Sequence, residues 1–234
     1  MRTNIKDIEY FKNYIELNKD DIKFYVEGLE DGTTPKDRIW AVKRQIFTTS
    51  LHTVIAMYSS GCLIDEIQNE FNNTIKHLAG DWENSNSNIS LDDYILMLWM
   101  LSLAILLDID DENFERIVKV LDTNKQEDYI FDILIAHKFK SRKINQNELY
   151  PKAFEFLKEL FATKDIQSLK EYLDKNWYKK FTSTYWYDND KNKNEIFFGY
   201  WSFESGALVK ILGLDDSILK DQQYYPYDLV HFKN

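Results

Sequence analysis

Cysteine is nearly missing from this 234-residue chain. Cys62 stands alone, so no intrachain disulfide can form, and a cytosolic compartment is the natural reading. Glycine (7) and proline (3) are scarce too. Sheet proteins spend many such residues on turns, so their scarcity favours long helices joined by few tight turns. No long hydrophobic run is present. The longest, YILMLWMLSLAILL (94–107), is too short to span a bilayer and reads as a buried helix. The opening MRTNIKDIEYFKNYI is charged throughout and lacks the apolar region of a secretory signal, so no membrane association is expected. Basic residues fail over residues 45–115, where Lys76 faces twelve carboxylates. That stretch repels nucleic acid phosphates and attracts a basic partner. It belongs to a wider asymmetry. Residues 1–123 hold 12 basic and 22 acidic side chains, whereas 124–234 hold 17 of each, so the first part carries the whole net charge of −10.

Chemical motifs are also missing. There is no glycine-rich phosphate loop. DIDDEN (108–113) lacks the turn glycine and later glutamate of a calcium loop and reads as a helix cap. His52, His77, His137 and His231 have no metal-ligand spacing with one another or with Cys62, so neither a metal nor any other cofactor is expected. Ser59-Ser60-Gly61-Cys62 follows a helix, but Gly61 explains the turn as a helix stop and no base stands nearby.

What is present predicts an all-α protein of about eight to ten helices. Ile5, Ile8, Phe11, Ile15, Ile22 and Val26 recur at helical spacings over 4–29. Thr34-Pro35 suits the start of a second helix over 36–59, and a third covers 63–80. Ser90 and Asp93 open the buried helix 91–107, and Asp110-Asp111 a short one to about 121. DTNKQED (122–128) is polar and marks the change in charge balance, which suggests a 1–123 domain and a 124–234 domain. Helices over 127–138, 150–162 and 165–178 follow.

The tail, FFGYWSFESGALVKILGLDDSILKDQQYYPYDLVHF (197–232), is crowded with aromatics around Glu204. Read as one helix from Phe197 to Leu212 it is apolar nearly all round, which marks a buried element rather than a presented one. Gly206-Ala207 permits close approach of another helix, and Gly213 supplies a left-handed stop. A base-stacking platform would interleave aromatics with cations, and Lys210 is the only one between Lys193 and Lys220. A carboxylate in such a helix must be paired, hydrogen-bonded or neutral.

GYWSFESGALVKILGLDDSILKD (199–221) with YYPYDLVHF (224–232) resembles the C-terminal signature of the PoNi-type immunity proteins. DRIWAVKRQIF (37–47), MLWMLSLAILLDIDDENFERIVKVLD (97–122) and WYDNDKNKNEIFFGYW (186–201) resemble the rest of that family in order. The resemblance implies an all-helical, non-catalytic protein of two family-defined parts. It would act in the bacterial cytoplasm, where it binds and neutralises a cognate PoNe-type DNase toxin delivered by a contact-dependent secretion system. The matching residues Gly199, Tyr200, Trp201, Phe203, Glu204, Tyr225, Pro226, Tyr227 and Asp228 identify a scaffold and carry no contact list.

The contact surface is therefore sought in charge. A nuclease holds a polyanion in a basic cleft, so an acidic surface can occlude it and offers nothing to cut. The candidates are Asp65, Glu66 and Glu70 on the third helix, Asp81 and Glu83 beyond it, and Asp92 and Asp93 at the next helix start, with Trp82 as an aromatic anchor. Acids at helix starts also stabilise the helix dipole without any partner. Two further readings stay open. One is a helical adaptor for another cytosolic protein. The other is an enzyme using Glu204 and Asp228.

Overall fold

A computed structural model describes residues 1–78 and 89–233. Every regular element among them is helical, with eleven α-helices and two 3-10 turns. None of these helices is long and apolar enough to cross a membrane. The chain forms two compact units. The first joins residues 1–85 to 188–199, and the second joins 86–187 to 200–234.

In the first unit α1 (Ile8–Glu30) packs on α2 (Ile39–Ser60), and α2 on α3 (Ile64–Leu78). Asp7 opens α1 by accepting the Tyr10 N–H at 2.8 Å. The second helix begins at Ile39 and not at 36. Residues 36–38 form a turn, and Arg38 at the cap position makes no side-chain capping bond, so Thr34-Pro35 does not cap this helix. From Ile46 onward α2 is almost wholly buried, although it carries Thr49, Ser50, Thr53, Ser59 and Ser60. Four of those hydroxyls are satisfied within the helix. Ser50, Thr53 and Ser59 donate to the carbonyls four residues earlier, and Ser60 to Met57 O. Gly61 stops α2 at φ 91°, and a Cβ there would lie 2.9 Å from the Met1 nitrogen. Arg2 docks at that end, donating to Tyr58 O and Cys62 O at 3.1 and 3.0 Å and stacking over the Tyr58 ring. A cation is favoured there by the carbonyl end of the helix.

The 188–199 segment completes this unit through side chains of α1 and α2. The Tyr10 hydroxyl donates to Phe197 O at 3.0 Å and accepts from Phe197 N at 2.8 Å. Ser59 shares its one hydroxyl proton between Ile55 O at 2.9 Å and Phe198 O at 2.7 Å. The His52 ring stacks on Phe198 with centroids 4.0 Å apart, and burial pushes its pKa down to about 3.

The second unit is built around α4 (Leu91–Leu106), of which thirteen residues are buried. Ser90 caps it by accepting the Asp93 N–H at 3.1 Å. α5 (Asp111–Thr123) is capped by Asp110, and its Phe114, Ile117, Val118 and Leu121 form one buried face. α6 (Tyr129–Lys138), α7 (Pro151–Thr163), α8 (Ile166–Lys175) and the short α9 (Trp177–Lys180) follow. α10 (Phe203–Leu212) packs along α4, and α11 (Tyr227–Val230) closes on α10.

The tail departs from the single helix expected over 197–212. Residues 197–202 are not helical, and α10 starts only at Phe203. Gly199 adopts φ 134°, outside helical space, and Ser202 N donates to Tyr224 O at 2.8 Å instead of to a helical carbonyl. Phe197 and Phe198 thus belong to the first unit, and Tyr200 onward to the second. The stop at Gly213, with φ 61°, is as the sequence suggests.

Candidate functional site

Most of the signature residues form interior structure. Tyr200, Trp201, Phe203, Tyr225 and Pro226 are buried. The Tyr200 ring meets Trp186 at 5.8 Å, and Trp186 stacks on Trp177 at 5.7 Å. Glu204, 2 % exposed, lies in the first turn of α10. Its Oε1 accepts the Trp177 indole N–H at 2.9 Å and the Ser202 hydroxyl at 2.7 Å, while Oε2 has no hydrogen-bond partner among the described residues. Burial raises its pKa, since these two donors only partly replace lost hydration. Asp228 lies exposed on α11 and Tyr227 is half-buried beside it, so Asp228 and Glu204 do not share an environment.

Three polar clusters that the sequence reading missed hold the second unit together. Asp128 caps α6 by accepting from Ile130 N and Phe131 N, and also accepts the Tyr94 hydroxyl and Leu149 N. Burial nevertheless raises its pKa. Asp132 accepts from Arg142 Nε at 2.7 Å and Asn145 N at 2.8 Å, and Arg142 also reaches Asp122 at 2.6 Å. These contacts fasten the irregular 139–150 segment. Asp216, 3 % exposed, accepts from the Tyr225 hydroxyl at 2.8 Å and pairs with His231 at 2.9 Å. A capping signal for Asp128 stood in the sequence, one residue ahead of YIFDILI. The other two clusters join residues across irregular turns and leave no local pattern.

The acidic candidates separate into different surroundings. Asp65 and Glu66 are exposed on the first turn of α3, where Glu66 also accepts from Leu63 N at 3.3 Å. Glu70 is half-buried and paired with Lys19 at 3.1 Å. Asp92, half-buried in the second unit, accepts from Tyr185 N at 3.2 Å, and burial raises its pKa. Asp93 is half-buried beside it, at the capped end of α4. Asp81, Trp82 and Glu83 lie outside the described residues. Among the described residues no group of three or more His, Cys, Asp or Glu is placed to hold a metal.

Charge divides differently in space than along the chain. The first unit holds 12 basic and 17 acidic residues and the second 17 and 22, so each carries −5. A further acidic run, Asp110, Asp111, Glu112 and Glu115, is exposed at the start of α5. It borders an open groove formed by α5, the 123–128 turn, the end of α6 and residues 141–145. Lys138 pairs with Asp111, and Arg116 with Glu112.

Two family profiles match the sequence. "PoNe immunity protein (PoNi), N-terminal" covers residues 2–119, and "PoNe immunity proteins (PoNi), C-terminal" covers residues 126–229. No curated protein matches. A solved structure, "The Crystal Structure of Protein PA2201 from Pseudomonas aeruginosa", is similar with a TM-score of 0.69 and 18% sequence identity. The match covers 98% of this chain and 89% of that chain, and at this identity the likeness is one of fold.

Proposed function

The chain belongs to the PoNe immunity protein (PoNi) family, and we propose that it neutralises its toxin by covering the basic surface through which a cognate DNase grips DNA. Membership implies a toxin-inhibiting immunity role. The observation that supports the finer mechanism is the exposed acid at the helix starts of α3 and α5, where Asp65, Glu66, Asp110 and Glu115 make no ion pair among the described residues. A nuclease cleft is built to attract phosphate, and such faces attract the same cleft. They speed encounter and contain no phosphodiester to cleave. Inhibition is stoichiometric, without turnover, and takes place in the bacterial cytoplasm.

Asp65 and Glu66 are the strongest of the sequence-derived contact candidates. Asp65 makes no ion pair among the described residues, and both side chains are exposed. Glu70 and Asp92 have partners within their own units and contribute field more than direct contact.

The test is DNA cleavage by the purified nuclease domain encoded next to this gene. Equimolar addition of this protein should abolish cleavage, and the two should co-elute in gel filtration. Undiminished cleavage at equimolar protein would overturn the reading.

A further inference from the structure

Charge steers encounter, but affinity among related complexes is set mainly by dissociation, through a few well-seated contacts. The groove beside α5 has the features of such a seat. Its floor is apolar, with Val118 and Ile135 buried and Phe139 half-buried, and Ile144 stands 41% exposed within it. Its walls are polar and fixed. Arg142 is held between Asp122 and Asp132, and Asn145 donates to Glu127 at 2.7 Å. The 141–145 wall is therefore pre-organised, so little ordering is required when a partner binds.

Charge is polarised along the groove. At the N-terminal end of α5, Glu112 and Glu115 line it, and Glu115 has no cationic partner among the described residues. Toward the other end Lys119, Lys125 and Lys143 line it, none in an ion pair among the described residues, beside Asp122 and Asp132, which are both paired with Arg142, and Glu127, which accepts from Asn145. A uniformly basic ligand would meet those lysines unfavourably. A complementary one carries a cation at one end, a carboxylate at the other and an apolar side chain between them.

We infer that this groove receives one segment of the cognate toxin with that pattern, and that it determines how long the complex lasts rather than how fast it forms. The inference rests on the immunity reading above and assigns a specificity site within it. The occupant is identified by charge complementarity. The acidic end continues the exposed acidic run that draws in a basic enzyme, while the lysines reject polybasic surfaces lacking the matching carboxylate.

The experiment is surface-plasmon kinetics of the full chain on the immobilised nuclease domain encoded by the adjacent gene. Ile144→Asp and Lys143→Glu should each raise the dissociation rate about tenfold or more, with association rates within about twofold of wild type. Both positions are exposed, and unchanged melting temperatures would confirm folding. Ile218→Asp, at an isoleucine 45% exposed outside the groove, is the control and should change neither rate. Wild-type dissociation rates for folded Ile144→Asp and Lys143→Glu would overturn the groove assignment and leave the immunity reading standing. Failure of the wild-type chain to bind that domain would overturn both.

Discussion

The indole N–H of Trp177 donates to Oε1 of Glu204 at 2.9 Å, inside a core from which water is excluded. This bond gives the carboxylate amid the aromatic signature a structural partner. The raised pKa fixes the sign of its effect. A group bound more tightly to its proton in the folded state stabilises fully below its unfolded pKa and loses that contribution as pH rises through the folded value. Glu204→Gln, which keeps the acceptor, should therefore gain stability relative to wild type as pH increases, and should still neutralise the toxin. Glu204→Ala leaves the indole and the Ser202 hydroxyl unpaired beside a cavity and should cost about 2–4 kcal/mol. Melting curves between pH 4.5 and 8 check both. A Glu204→Gln protein that melts normally but fails to inhibit would revive a chemical role.

Asp128 is the most heavily used carboxylate of the second unit, since it joins α6, Tyr94 on α4 and the 139–150 segment. Asp128→Ala removes the acceptor for four donors at once, and a loss of about 3 kcal/mol or more is expected. Asp128→Asn retains one acceptor oxygen and should cost less. Limited proteolysis should cut the alanine variant first within residues 139–150, because that segment has no helix of its own.

The helices were legible where local chemistry decides them. Asp110 followed by Phe114, Ile117, Val118 and Leu121 sets the start and face of α5, and the structure agrees to within two residues at its C-terminal end. Residues 197–202 were not legible, because a buried irregular segment has the same apolar composition as a buried helix. What makes it irregular is non-local, namely Tyr10 and Ser59 binding the Phe197 and Phe198 backbone and Ser202 N reaching Tyr224 O. The charge asymmetry of the sequence was real but not spatial, since 188–199 returns to the first unit while the acids of 92–115 belong to the second. The groove was hidden for a related reason. DTNKQED reads as a domain junction by composition and charge, and nothing local in it announces that Asp122, Lys125, Gln126 and Glu127 line a groove.

His52 makes the first unit sensitive to acid. Its pKa is pushed down to about 3, so the unfolded chain takes up a proton below about pH 6.5 that the folded unit refuses. The stability contributed by neutral His52 is complete above pH 6.5 and is lost as pH falls toward 3. Amide hydrogen exchange in α1 and α2, corrected for intrinsic rates, should quicken between pH 7 and pH 5. His52→Phe preserves the stack on Phe198 without a titrating group and should remove that change.

Reversing Asp65 and Glu66 to Lys should slow association with the toxin several-fold and flatten its dependence on salt, with little change in dissociation. Reversing Glu155 and Glu159, on α7 of the second unit, is the matched control. Equal slowing from both pairs would mean that net charge alone, and not the α3 face, steers the encounter.

Gly206 and Gly213 sit at opposite ends of α10's argument with its neighbours, and alanine should harm them for different reasons. A Cβ on Gly206 would lie 2.7 Å from Pro226 Cγ and 3.1 Å from Val230 Cγ2. A proline ring cannot swing aside, so α11 must move as a unit, at a cost of about 1–3 kcal/mol. At Gly213 a Cβ meets nothing within 4 Å, and the penalty is the left-handed φ of 61°, about 1 kcal/mol. Displacement of α11 has a second consequence, because His231 follows it directly and pairs with Asp216. Gly206→Ala should therefore shift the His231 ring resonances in an NMR spectrum, whereas Gly213→Ala should lower the melting temperature and leave them in place. Unmoved His231 resonances in Gly206→Ala would mean that α11 is not held by that close approach.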